Sequence, residues 1–109
     1  MLDHTISPPE IEDMARKEES LKAREEAWRA AGPLRRYRTH FAPDHPRDEP
    51  LSIYDIASRL GGVSVGSVHK WEWGVAMPRR AYFDALARLT GNTDFEADYR
   101  RWFADRPTV

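Results

Sequence analysis

Apolar residues recur at helical spacing through most of this chain, and glycine or proline interrupts them at short intervals. The clearest case is the stretch from residue 51 to residue 91, which is divided by Gly61-Gly62, by Gly74 and by Gly91. The pattern predicts two short helices joined by a glycine turn, followed by a further amphipathic helix. No segment has the strict alternation of a β-strand, so we expect an all-α fold.

Polar residues mark where these helices begin. Asp55 lies three residues after Ser52, and Glu96 lies three residues after Thr93, which is the spacing of a capping box. The second short helix is expected over residues 65–73. The predicted starts are Ser52, Ser64, Pro78 and Thr93. The apolar residues expected to face the core are Ile53, Ile56, Ala57 and Leu60, then Val68 and Trp71, then Tyr82, Phe83, Leu86 and Leu89, and finally Phe95, Tyr99, Trp102 and Phe103.

A further short helix and a loop precede this region. Residues 34–41 mix apolar and basic side chains at helical spacing, whereas residues 42–50 contain three prolines and alternating charges. The second segment is typical of a surface loop. Its Asp44, His45 and Asp48, with His40 just before it, have no further convergent ligand, so we expect no metal there.

The first 32 residues predict a long, charged helical arm. Ser7 followed by Pro8-Pro9 is a favourable start, and Gly32 is a favourable stop after about Ala31. Opposite charges four residues apart support the helix. These pairs are Glu12–Arg16, Asp13–Lys17, Glu18–Lys22 and Glu25–Arg29.

The apolar face of this arm is narrow. Its members are Ile11, Met14, Leu21 and Trp28, and Glu18 and Glu25 interrupt it. One interpretation is a solvated, partly frayed arm. The other, which we favour, is a helix for dimerisation or partner docking, because an isolated polar helix has little else to stabilise it.

Length and composition limit the class of protein. The 109 residues allow one modest core, and we divide them into the arm, residues 1–32, and a bundle of about five helices, residues 33–109. The absence of cysteine excludes disulfides and thiolate zinc sites and fits a reducing cytoplasm. We also expect no signal peptide, no membrane span and no cofactor.

Charge is distributed unevenly along the chain. The net charge is −1, but residues 33–80 carry eight Lys and Arg against five Asp and Glu, whereas the arm carries five against eight. Positive charge is therefore concentrated around the glycine turn, which favours double-stranded DNA as the partner. The excess is small, so we expect two chains to share one DNA site.

The layout of residues 51–91 is that of a helix-turn-helix, whose second helix enters the major groove. Such a helix packs against the core through apolar residues on its inner side, here Val68 and Trp71. Its first turn and its outer face stay accessible. Lys70 and His69 can donate to guanine or phosphate, and Ser67 can bond either. Val65 is placed to meet a thymine methyl group. Gly66 either allows a close approach of the DNA backbone or is simply a tolerated weak point in the helix.

Residues 62–78, GVSVGSVHKWEWGVAMP, resemble the helix-turn-helix of the phage-repressor (Xre/Cro, lambda-repressor-like) family. That family has a small apolar residue and Ser before the recognition helix, then Trp-Glu-x-Gly and a later Pro. The likeness extends back to Ile53 and forward to Leu89, about half of the chain. It implies that the base-reading positions are Val65, Gly66, Ser67, His69 and Lys70.

The resemblance also implies supporting roles. Glu72 matches a carboxylate that pairs with an Arg on the first helix of the family, and the segment around Leu34 and Tyr37 makes Arg38 its expected partner. Phosphate contacts are expected at the helix starts. These contacts are assigned to Ser52, Ser64, Arg79 and Arg80.

The chain departs from that family pattern in three places. Gly62 adds one residue to the turn, which can rotate the recognition helix. The loop before Ser52 is longer than usual. Trp73 stands where the family tolerates polar residues, and we expect it to be a packing anchor rather than a surface against the sugar-phosphate backbone.

These observations favour a sequence-specific DNA-binding regulator, a homodimer that represses or autoregulates a promoter with an inverted repeat. The alternative is an antitoxin-like protein-interaction module on the same scaffold, with the arm and the aromatic last helix as its interface. A related activator or excisionase would need a β-wing directly after the second helix. The sequence predicts a helix over residues 78–89 instead, so this function ranks below both. We expect no enzymatic activity, since no set of residues in the chain has the spacing of a catalytic arrangement.

Overall fold

The computed structural model describes residues 8–40 and 50–108, and within these ranges it contains six helices and no strand. The predicted all-α fold is therefore confirmed. The helices are α1 (Pro8–Ala30), α2 (Pro33–His40), α3 (Ile53–Arg59), α4 (Val65–Glu72), α5 (Arg80–Thr90) and α6 (Phe95–Ala104).

Only the last turns of α1 join the bundle. The side chains from Ile11 to Ser20 are exposed, Leu21 is half-buried, and Trp28 is buried. The helix ends at Ala30, just before Gly32, where an added Cβ would lie 3.0 Å from the ring of Trp102. The predicted stop is confirmed, while the predicted Ser7 start lies outside the described residues.

The charged pairs along α1 are partly those expected. Arg29 bonds Glu25 at 2.8 Å, as predicted. Arg16 bonds Asp13 at 3.1 Å rather than Glu12, because residues three apart lie as near on a helix surface as residues four apart.

The core is built largely from aromatic and branched side chains of α2 to α6. The aromatic residues of α6 were one predicted partner interface, and this was wrong, because Phe95, Tyr99 and Trp102 are buried and Phe103 packs against them. Tyr99 contacts Phe83 edge-on, with ring centroids 5.5 Å apart. The buried apolar set is Trp28, Leu34, Tyr37, Leu51, Ile56, Ala57, Val68, Trp71, Phe83, Leu86, Phe95, Tyr99 and Trp102.

The helices α3 and α4 pack against each other across the predicted glycine turn. Gly61 and Gly62 have φ values of 67° and 100°, and neither would place a Cβ within 4 Å of another group. The inserted residue is thus accommodated by two consecutive positive φ angles, which glycine adopts without steric cost. The capping box at the start of α3 is confirmed: the Asp55 amide donates to Ser52 Oγ at 3.0 Å and the Ser52 amide donates to Asp55 at 2.8 Å.

Two predicted helix starts were wrong. α5 begins at Arg80 rather than Pro78, because Arg79 has the extended angles of a cap residue. The capping box of Thr93 and Glu96 does not form, because the cap position of α6 is Asp94, which has no side-chain cap bond. Asn92 organises this start, since its Oδ1 accepts from the Asp94 amide at 2.9 Å and its Nδ2 donates to Asp98 at 3.0 Å.

The predicted loop around Asp44, His45 and Asp48 lies in residues 41–49, outside the described residues. Within the described ranges no group of three or more His, Asp or Glu side chains is placed to hold a metal ion. None of the described helices is both long and apolar enough to cross a membrane.

Candidate nucleic-acid interface

One side of α4 is fixed to the core. Val68 and Trp71 are buried as predicted, and the tilted rings of Trp71 and Tyr82 lie 5.3 Å apart. Ser64 caps the helix, since its Oγ accepts from the Ser67 amide at 3.0 Å. The cap and the buried stripe together determine which side chains α4 can present outward.

The remaining side of α4 is accessible. Gly66, His69 and Lys70 are exposed, whereas Val65 and Ser67 are half-buried. The Ser67 hydroxyl is also bonded to Ser64 Oγ at 2.9 Å, so it is partly engaged within the protein.

Arg38 and Glu72 form a bidentate ion pair between α2 and the end of α4. Arg38 Nε donates to Glu72 Oε2 at 2.7 Å and a terminal nitrogen donates to Oε1 at 2.8 Å. The side chains are 16% and 2% exposed. Arg38 also donates to the Leu51 carbonyl at 3.1 Å, so one guanidinium joins α2, α4 and the segment before α3.

The end of α4 has a second support, from α6, that the sequence did not indicate. The Tyr99 hydroxyl donates to the Trp71 carbonyl at 2.7 Å and lies 3.3 Å from the Ala76 carbonyl. Burial raises the pKa of Tyr99 well above its ordinary value, and the positive charge of Arg106 partly opposes that rise. The sequence predicted Tyr99 as a core residue or as part of a partner interface, and it did not indicate this hydrogen bond.

Trp73 connects α4 to the arm. It is 41% exposed, its ring stacks on His69 with centroids 5.3 Å apart, and the Arg29 guanidinium lies 4.4 Å from its ring centroid. The predicted packing role of Trp73 therefore has contacts to support it. Its packing partner Arg29, on α1, could not be identified from the sequence pattern.

Gly74 follows at a crowded point. Its φ is 68°, and an added Cβ would lie 2.5 Å from both the Trp28 ring and the Arg106 guanidinium. Arg106 also donates to the Gly74 carbonyl. The segment after α4 is thus held between the end of α1 and the residues beyond α6.

The predicted phosphate contacts lie at element starts. Arg79 and Arg80 are exposed at the start of α5 and form no ion pair with a described residue, and the same holds for Lys70 on α4. Ser52 and Ser64 are also exposed, but both hydroxyls are used in helix caps. Three cations on the α4–α5 segment are therefore available to an external anion.

No protein-family model, curated protein or solved structure matches this chain.

Proposed function

We propose that this chain is a sequence-specific, double-stranded DNA-binding transcriptional regulator of the phage-repressor-like helix-turn-helix type. In this proposal two copies bind an inverted repeat as a repressor or autoregulator, each with α4 in the major groove. The observation that carries the proposal is the division of α4 into a buried side and an accessible polar side. Val68, Trp71 and Glu72 are buried, while Gly66, His69 and Lys70 are exposed.

The accessible side of α4 has the chemistry to read bases. Lys70 offers a mobile ammonium group for guanine acceptors, and His69 offers a ring nitrogen. Gly66 is not required by internal packing, because the nearest side-chain atom to an added Cβ, Ser64 Oγ, is 3.9 Å away. Its missing side chain would instead let an external backbone approach α4 closely.

The surrounding groups support phosphate contacts. Arg79 and Arg80 are unpaired cations at the start of α5, and such groups fix the register of a protein on DNA without reading its sequence. The net excess over residues 33–80 is only +3. Two chains on one site would double it, which supports a dimer.

The test is selection of a binding site from random duplex DNA, followed by gel shift on the selected fragment at several salt concentrations. We expect an inverted repeat and an affinity that falls steeply as salt increases. The double variant H69A/K70A should lose at least about tenfold in affinity, since a good base contact is worth about 1–3 kcal/mol. A flat salt response, or no selected sequence, would contradict the proposal.

A matched control separates base reading from loss of charge. Arg36→Ala removes one positive charge from the groove between α2 and α6 and leaves every side chain of α4 in place. It should leave the selected sequence unchanged. Both variants must unfold at the same urea concentration as the parent protein.

A second candidate function is an antitoxin-like protein-interaction module. It is supported by the exposed apolar side chains Ile11 and Met14 on α1. In that case H69A/K70A would leave partner capture intact, and no duplex sequence would be selected.

A further inference from the structure

The part of α1 that precedes the bundle carries a narrow apolar face that the described chain leaves largely uncovered. Ile11 and Met14 are 53% and 51% exposed, and Leu21 is half-buried. Met14 follows Ile11 by three residues and Leu21 follows Met14 by seven, which places all three along one side of the helix. Glu18 lies on the same side, between Met14 and Leu21.

We propose that a second copy of this chain covers this face with its own α1, running antiparallel and centred at Arg16. Residue 16 is the midpoint of Ile11 and Leu21, so a two-fold axis there places each Ile11 against Leu21 of the second copy. The same axis places each Met14 opposite Glu18. Ile11, Met14 and Leu21 are then all covered by α1 of the second copy.

Charge selects the antiparallel arrangement over the parallel one. Parallel helices would place Glu18 opposite Glu18 and Lys17 beside Lys22 of the second copy, so like charges would meet in both places. In the antiparallel arrangement the two Glu18 side chains are offset by four residues along the pair, and Lys17 of one copy lies three residues, less than one turn, from Glu18 of the other. Each Glu18 near the axis then has a cation of the other copy within one turn, while the two Lys17 side chains are the like charges that lie nearest to each other.

The arrangement also fixes the distance between the two bundles, and this step rests on the proposed DNA-binding function. Trp28 lies twelve residues beyond Arg16, so two such residues are separated by about 36 Å along the paired helices at a rise of 1.5 Å per residue. Two half-sites one duplex turn apart are separated by about 34–36 Å. Because Trp73 contacts Arg29, the end of each α4 lies beside the corresponding end of α1.

Disulfide trapping on the full chain tests the pairing without DNA, and the absence of native cysteine makes the result specific. Single variants Ile11→Cys and Leu21→Cys are prepared separately, oxidised alone and oxidised as a mixture. We expect a crosslinked dimer in the mixture only. Ala23→Cys, exposed on the opposite side of α1, is the background control.

The outcomes are distinct. Crosslinking of Ile11→Cys with itself indicates parallel helices and overturns the proposal, and so does a mixture that stays at the Ala23→Cys background. In sedimentation equilibrium, Glu18→Lys and Lys17→Glu should each weaken dimerisation at least fivefold, and the double variant should recover most of it. A trapped dimer that selects no DNA would count against the proposed function alone.

Discussion

Trp28 and Trp102 each donate an indole N–H to the backbone carbonyl of the other, at 2.7 and 2.6 Å, while their rings stack with centroids 4.3 Å apart. The two residues are 74 positions apart in sequence. This reciprocal contact attaches the end of α1 to α6, so the long helix is part of the bundle at one end and exposed at the other.

The contact can be separated into ring packing and hydrogen bonding. Trp28→Ala should lower the free energy of unfolding by about 3–5 kcal/mol, because a buried aromatic ring is lost. Trp28→Phe keeps a ring but removes the indole donor to the Trp102 carbonyl, which retains only the Asp105 amide. It should cost about 1–3 kcal/mol, because the indole hydrogen bond and part of the ring packing are lost. Urea unfolding provides both values. Trp73→Phe, at a partly exposed site, should cost less than either, and equal costs for all three would show that the paired indoles have no special role.

Removing one member of the Arg38–Glu72 pair should be more damaging than removing both. Glu72→Ala leaves a mostly buried guanidinium without its carboxylate and should cost about 3–5 kcal/mol. The double variant R38M/E72M leaves no unpaired charge and should recover part of that loss. A double-mutant cycle in urea measures the coupling, and additive costs would contradict it.

Two glycines with nearly the same backbone angle form a matched pair. Gly74 and Gly91 have φ values of 68° and 69°, but only at Gly74 would a Cβ meet another group within 4 Å. Gly91→Ala should cost about 1 kcal/mol, from the left-handed backbone alone. Gly74→Ala should cost at least about 2 kcal/mol more, because Trp28 and Arg106 must move. Thermal unfolding compares them, and equal costs would show that the neighbours give way freely.

The hydroxyl of Tyr99 should make stability depend on alkaline pH. Its pKa in the folded protein is raised above the ordinary value of 10.0, so the folded state retains the proton after the unfolded chain has lost it. The stabilisation is therefore complete below about pH 10 and is lost as the pH rises towards the folded-state pKa.

Tyr99→Phe removes this dependence. At neutral pH it should cost about 1 kcal/mol, because the Trp71 carbonyl loses the hydroxyl donor at 2.7 Å and retains only backbone amide donors. Above pH 10 the difference between the two proteins should shrink. Urea unfolding at a series of pH values measures the difference, and a constant gap would contradict the assignment.

Local signals in the sequence were sufficient to predict the position of most of the helices. The capping box of Ser52 and the stop at Gly32 are confirmed, because both depend on residues a few positions apart. The corresponding signal at Thr93 was misleading, since Asn92 competes for the same turn through its own amide side chain. The spacing of apolar residues also identified the buried side of α4.

Contacts between segments that are distant in sequence could be identified only from the folded structure. The place of Arg38 opposite Glu72 followed from a family resemblance and not from spacing. The bond from Tyr99 to Trp71 and the position of Arg29 over Trp73 gave no signal, because each joins helices whose relative placement depends on the whole core. The exposed apolar face of α1 was visible in the sequence, but its separation from the bundle was not.

Trp73 gives the protein an internal optical reporter. All four tryptophans lie in the described ranges, and the other three are buried. The Trp73 indole contacts both Arg29 of the arm and His69 of the candidate recognition helix. A molecule that reaches either of them will change the solvent around this one ring, so the intrinsic emission spectrum will register its arrival without a label.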